Sequence, residues 1–250
     1  MKPRRLRIGM GQIPIQMANK RANIAAISAM MSEAVAHGCD VLVLPECSLA
    51  GWLSPAAQTL AEPIPGALTR KLCAQARQHG MAIVLGIEER AAGQLFNSAV
   101  FIDESGQILL RHRKINELEE GRSLYSPGRS LHVAEWRGRT IGLSICADSW
   151  RPEITDALCV MGAQLIFSPS AWAVDRGGEA TNIAWIIETY RQRVGNRDLL
   201  IVAPNGVGSV TEGPWKGRVL QGNSLLIGAG GVVHALGKTN LPELICWESL

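Results

Sequence analysis

Apolar runs alternate with amphipathic stretches along the whole chain. "LRIGMGQ" reads as a strand, and "ANIAAISAMMSEAVAHG" places Ile24, Ile27, Met31, Ala34 and Val35 on one helical face before stopping at Gly38. "DVLVLPE" (Asp40 to Glu46) is a buried-type strand running into a polar end, and the helix "GALTRKLCAQARQHG" leads to the strand "MAIVLGI". The rhythm then changes. "FNSAVFIDESGQILLRHRK" alternates around Glu104–Gln107 and predicts an antiparallel hairpin. The helix "PEITDALCVMGAQ", the strand "LIFSPS", the helix "TNIAWIIETYRQRVGN" and the strand "LLIVAPN" follow. A last hairpin, "NSLLIGAGGVVHAL", turns at Gly228–Gly231, where the glycines are turn chemistry because no strand–GxGxxG–helix unit surrounds them. With no repeat and no linker, the pattern predicts one mixed α/β domain over residues 1–250.

Composition narrows the classes. At 250 residues, 47% hydrophobic and 19% charged, the chain can bury a substantial core. A net charge of +3 is too small and scattered for nucleic acid, and the basic cluster "KPRRLR" (Lys2 to Arg7) reads as a solvated tail. No apolar run reaches the roughly 18 residues of a membrane span, and Gln12 and Pro14 interrupt the signal-like start. A cytoplasmic protein is expected. The cysteines at 39, 47, 73, 146, 159 and 246 show no C-x-x-C spacing, and the histidines form no H-x-x-x-H pair, so neither a disulfide framework nor a zinc site is expected.

The chemistry collects at strand ends. Glu46 follows "VLVLP", Lys114 follows "ILLRHR", Cys146 follows "IGLSI", and Ser168 and Ser170 follow "LIF". In open α/β sheets, active sites gather where strands end. A thiol becomes a good nucleophile on losing its proton; a carboxylate can take that proton, and an ammonium or the helix start at Pro152-Glu153 favours the thiolate. Each residue alone also has a plain reading. Cys146 could be a packed core thiol, Glu46 a loop acid, Lys114 part of an exposed hairpin tail and Asp148 a helix cap.

Short blocks in sequence order join these signals. "VLPECSLAGW", "RHRKINEL…LYSPG" and "GLSICADSWRPE", followed by "LIFSPSAW", "VGNRDLLIVAPNGVG" and "GNSLLI", resemble the nitrilase superfamily of carbon–nitrogen hydrolases. The resemblance implies a four-layer α-β-β-α sandwich of two mixed sheets flanked by helices, assembled as a homodimer or larger homo-oligomer. It implies catalytic roles for Glu46, Lys114 and Cys146, with the oxyanion held by Lys114 and the Ala147 backbone N–H, and no metal or organic cofactor. Many members carry a second glutamate about seven residues after the lysine. Gly121 fills that slot here, leaving Glu117 and Glu120 as candidates, with Glu117 favoured. Members acting on N-carbamoyl amino acids tend to place arginines where this chain has Ser149 and Trp150. Trp52, Trp150, Trp172 and Tyr125 flank the blocks and are the expected pocket walls. The expected reaction is hydrolysis of a small primary amide to an acid and ammonia through a thioester. A nitrilase, an N-carbamoyl amine hydrolase or a catalytically silent binding subunit are the alternatives, and a glutamine-hydrolysing module is disfavoured for want of a partner domain.

Overall fold

The computed structural model describes residues 5–249, so Lys2 to Arg4 of the basic cluster lie outside the described residues. The first half of the chain folds as β1 (Arg7–Gln12), α1 (Lys20–Ala36), β2 (Val41–Val43), α2 (Ala57–Leu60), α3 (Ala67–His79), β3 (Ala82–Ala91), β4 (Gln94–Ile102), β5 (Ile108–Arg113) and the single turn α4 (Glu119–Arg122). The second half gives β6 (Val133–Trp136), β7 (Arg139–Leu143), α5 (Pro152–Val160), β8 (Leu165–Phe167), β9 (Ala173–Val174) and α6 (Glu179–Val194). It closes with β10 (Leu200–Ala203), β11 (Val207–Ser209), β12 (Val219–Gln221), β13 (Leu225–Gly228), β14 (Val232–Leu236) and β15 (Glu243–Glu248).

Two six-stranded sheets result, ordered β15-β1-β2-β3-β4-β5 and β14-β13-β10-β8-β7-β6. Each has three parallel strands at its centre and antiparallel strands at its edges. Parallel neighbours need a crossover, and helices supply it on the outer faces. In the first sheet the side chains alternate with period two. Val41, Val43, Val84 and Phe101 face the second sheet, whereas Leu42, Leu44, Ile83, Leu85 and Val100 face α1 and α3. The Phe101 ring meets Phe167 of the second sheet at 5.5 Å and Trp136 at 5.1 Å, so the sheets interlock through aromatic contacts. With α5 and α6 over the second sheet, the layers run α-β-β-α.

The predicted helix face largely holds, since Ile27, Met31 and Ala34 are buried and Gly38 turns the chain in the left-handed region (φ +65°). The sequence reading lacks the short helices α2 and α4 and three features of the sheets. β15 pairs with β1 across nearly the whole chain, β6 and β7 form a hairpin at Arg137-Gly138, and β9, β11 and β12 make a small third sheet. β15 (ELICWE) is a half-buried edge, and the strands of the third sheet have two or three residues each, too short for periodicity to register. Among the described residues no helix is long and apolar enough to cross a membrane.

Candidate active site

β2 is shorter than the apolar run that predicted it. The ladder ends at Val43, and Leu44-Pro45 carry the chain into a turn at Glu46. Pro45 cannot donate to a ladder, which helps to end the strand there. The turn lies hard against β3. A Cβ on Gly86 would come within 2.5 Å of the Glu46 Cα, so only glycine lets the two backbones approach. Lys114 extends β5 by one residue through its N–H to the Asn97 carbonyl (2.8 Å). Cys146 follows β7 at the head of a short 3-10 turn, with φ at +45°. Such a left-handed conformation costs a non-glycine residue about 1–2 kcal/mol and is held by its surroundings. The segment after β8 couples the sheets here, since Cys146 N–H donates to the Pro169 carbonyl (3.0 Å) and Glu46 N–H to the Ser170 carbonyl (3.3 Å).

Glu46 and Lys114 are withdrawn from solvent, at 2% and 1% exposure. The Lys114 ammonium donates to Glu46 Oε1 (2.7 Å) and to Glu117 Oε1 (3.1 Å). Asn97 on β4 donates its amide to the same two carboxylates, at 2.6 Å to Glu46 Oε1 and 3.2 Å to Glu117 Oε2. Trp52 Nε1 adds a third donor to Glu117 (3.2 Å), and its ring lies 5.2 Å from the ammonium. Glu46 Oε2 is buried with no hydrogen-bond partner. Burial raises the Glu46 pKa above the ordinary carboxylate range, against the opposing pull of Lys114. At Lys114, burial works to lower the pKa, but the charges of Glu46 and Glu117 outweigh it and hold the ammonium well above its usual range.

The structure therefore brings Glu117, not Glu120, to Lys114. Glu120 lies at the rim, accepting from Trp215 Nε1 (3.1 Å). Gly121 explains how: a Cβ there would sit 2.6 Å from Glu117 Oε1, so the bare backbone at the expected glutamate slot is the space that Glu117 occupies.

The thiol differs from the sequence expectation that its neighbours favour a thiolate. Burial and the charge of Glu46 raise the Cys146 pKa above the ordinary thiol range, and Lys114 and the Ala171 backbone N–H pull the other way without prevailing. The ammonium comes with two buried carboxylates, whose charge offsets its pull on the sulfur.

Asp148 is a junction rather than a cap for α5. Its carboxylate accepts from Ile145 N–H (2.9 Å), Ile115 N–H (3.1 Å) and Asn116 N–H (2.8 Å), and pairs with the His112 ring (2.8 Å). Burial pushes its pKa up, but His112 and the backbone donors reverse this and hold it below the usual range. Asn116 Nδ2 also binds the carbonyl of the fully buried Ala147 (2.6 Å). The lysine loop and the cysteine turn are thus tied together in one network. Ser168 and Ser170 are buried beneath: Ser168 Oγ meets the Tyr190 hydroxyl (3.0 Å), and Ser170 Oγ donates to the Ser168 carbonyl (2.9 Å).

Lys114 and Cys146 open into a cavity of about 260 Å³. Trp52, Trp150 and Trp172 line it as expected, and Trp185 and Trp215 join them, so five of the seven tryptophans surround one space. Tyr125 does not. It is buried behind the site with its hydroxyl against the Cys47 thiol (3.7 Å), because the "LYSPG" segment turns it into the core of the first sheet's outer face. Asn97, Trp185 and Trp215 carry no assignment in the sequence reading, and Asp148 carries only that of a helix cap. A polar Asn inside the apolar strand "FNSAVF" was the one available signal for Asn97. Among the described residues no group of three or more His, Cys, Asp or Glu side chains is placed to hold a metal ion.

An acid–ammonium–acid cluster beside a thiol, at the strand ends of an α-β-β-α sandwich, defines a hydrolase. A carbon–nitrogen hydrolase family model matches residues 7–245, and the chain belongs to that family. It is similar to an (R)-stereoselective amidase of Pseudomonas sp, 31% identical over 208 residues covering 82% of this chain and 72% of the relative. It is also similar to the omega-amidase of Danio rerio, 31% identical over 169 residues, which cover 63% of this chain and 61% of that enzyme. Among solved structures, an amidase from Nesterenkonia sp. superposes with a TM-score of 0.85 at 23% identity, covering 100% of this chain and 92% of the other. A carbon–nitrogen hydrolase from Helicobacter pylori G27 gives 0.88 at 22% identity, covering 98% and 89%.

Proposed function

We propose that the protein hydrolyses small primary amides to carboxylic acids and ammonia, with Cys146 as nucleophile, Glu46 as general base, Lys114 as oxyanion donor and Glu117 holding Lys114. One observation carries this reading: the thiol and the ammonium face one cavity while the ammonium is clamped between two buried carboxylates. Glu46 Oε1 is committed to Lys114 and Asn97, which leaves Oε2 to take the thiol proton as sulfur attacks the amide carbon. Burial works against a free thiolate, so proton transfer and attack are placed in one step. The oxyanion that forms is met by the Lys114 ammonium and the Ala147 N–H, a type of preorganised donor worth roughly 3–4 kcal/mol of barrier each. Glu46 then returns the proton to the departing nitrogen, ammonia leaves, and a thioester remains on Cys146. Water attacks the thioester carbon, giving its proton to Glu46, and the acid departs as the thiol reforms.

Relatives support the chemistry. A cysteine-to-alanine mutant of the Nesterenkonia amidase is described in complex with butyramide, and a glutamate-to-leucine mutant shows the acetamide moiety of fluoroacetamide added at the active-site cysteine. The five tryptophans give the cavity a largely apolar wall for the acyl group. We further infer a homodimer formed through the α5–α6 face, where Val160, Met161 and Trp185 are exposed apolar residues, and a cytoplasmic location that suits six free cysteines. The test is ammonia release from a panel of matched primary amides, nitriles and N-carbamoyl amines. Turnover concentrated on the amides is the expected result, and turnover of the nitriles or carbamoyl amines alone would displace this reading.

A further inference from the structure

A second cavity, of about 580 Å³, lies away from the catalytic one and shares no lining residue with it. Its walls come from the ends of β4 and β5 and from the segment 126–132. Arg111, Arg113, Arg129 and His132 converge on it, with the hydroxyl-bearing Ser126 and the ring of Phe96, and no acidic residue lines it. Successive residues at a strand end point to opposite sides. Lys114 therefore serves the catalytic cavity while its neighbour Arg113 serves this one.

One carboxylate stands behind these cations, that of the buried Glu89. It accepts from Arg113 Nε (2.9 Å) and Nη2 (2.6 Å), from Arg111 Nη1 (3.3 Å) and from Ser98 Oγ (2.7 Å). Arg113 is also seated over the Phe96 ring at 3.8 Å, so its guanidinium is fixed in place before any ligand arrives. One carboxylate against three guanidiniums leaves two positive charges unmatched in a concave, polar space. Glu89 holds Arg113 Nε and Nη2, so the N–H donors open to a phosphate group are those of Arg129 and the remaining ones of Arg111 and Arg113, with the Ser126 and Ser130 hydroxyls beside them.

We propose that this cavity binds a small molecule through a phosphate group, with Arg111, Arg113 and Arg129 as its charge partners. The site is built on the same strand that carries Lys114, and Gly128 of its outer wall donates its N–H to the Lys114 carbonyl (2.7 Å). It does not depend on the catalytic assignment.

Inorganic phosphate and pyrophosphate, titrated calorimetrically into the intact protein at constant ionic strength, test the proposal. Saturable one-site binding is expected with a dissociation constant on the order of 1 mM or tighter, and tighter for pyrophosphate than for phosphate. The double variant Arg111→Gln/Arg129→Gln should weaken binding at least about tenfold. Both side chains are exposed, so its melting temperature should match the parent; Arg113 is left intact because its loss would strand the buried Glu89 charge. Arg218→Gln, in the catalytic cavity, should bind as the parent does. Absence of saturable heat, an affinity unchanged in the double variant, or an affinity lost in Arg218→Gln would each overturn the proposal.

Discussion

Lys114 Nζ lies 2.7 Å from Glu46 Oε1, and both groups are almost wholly buried although they follow different strands of one sheet. Removing either charge exposes the other to a medium that cannot solvate it, so chemistry and stability are linked at this contact. Lys114→Met should leave Glu46 and Glu117 facing each other without a counter-charge. A destabilisation of about 3–5 kcal/mol is expected, together with loss of turnover. Denaturant titration reads the first and ammonia release the second; a variant as stable as the parent would refute the coupling.

Cys146→Ala should abolish amide turnover and acylation by substrate while leaving the fold intact, because a buried thiol and a methyl differ little in packing. Mass spectrometry of substrate-treated protein checks for the acyl adduct. Retained turnover would remove the nucleophile assignment.

Glu46→Gln keeps an acceptor for Lys114 but cannot take a proton, so turnover should fall by about 10²–10⁴ with little change in KM. A loss below about tenfold would mean that another group is the base.

Gly121→Ala separates sterics from intrinsic preference. Alanine favours α4 as a helix by roughly 0.5–1 kcal/mol, yet its methyl would meet the Glu117 carboxyl that Lys114 needs. Turnover should drop more than about tenfold while the melting temperature holds or falls slightly. Undiminished activity would show that Glu117 has no part in holding Lys114.

The raised Cys146 pKa predicts a specific pH profile. Iodoacetamide labelling of Cys146 should be slow at about pH 7 and still climbing at about pH 9. A plateau at neutral pH would reveal a preformed thiolate and overturn the single-step transfer.

Glu88 gives a stability prediction. Its carboxylate accepts the N–H groups of Leu49 (3.1 Å) and Ala50 (3.0 Å), on the loop that follows Glu46, and burial outweighs these donors to raise its pKa to about 7. An acid with a raised folded pKa binds its proton more tightly when folded. Its contribution is full below the unfolded value of 4.5 and is lost as pH rises towards 7. Stability should therefore fall across that window, and Glu88→Gln should flatten the fall. Identical slopes in parent and variant would show that Glu88 is ionised throughout.

What the sequence by itself determined is local. Apolar periodicity located the four longer helices and most central strands, and the apolar runs that end in Glu46, Lys114 and Cys146 marked the sheet edges that carry the site. Contacts between distant residues were beyond it. That Glu117 stands where Gly121 leaves room, that Asn97 spans two carboxylates, and that Asp148 ties the lysine loop to the cysteine turn all depend on backbones meeting across the fold. Tyr125 shows the same limit from the other side, since proximity in sequence to a functional block does not fix the direction of a side chain. The balance at Cys146 depends on the fold in the same way: a nearby lysine lowers a thiol pKa, burial and a neighbouring carboxylate raise it, and only the tertiary structure shows that the ammonium arrives with two buried carboxylates.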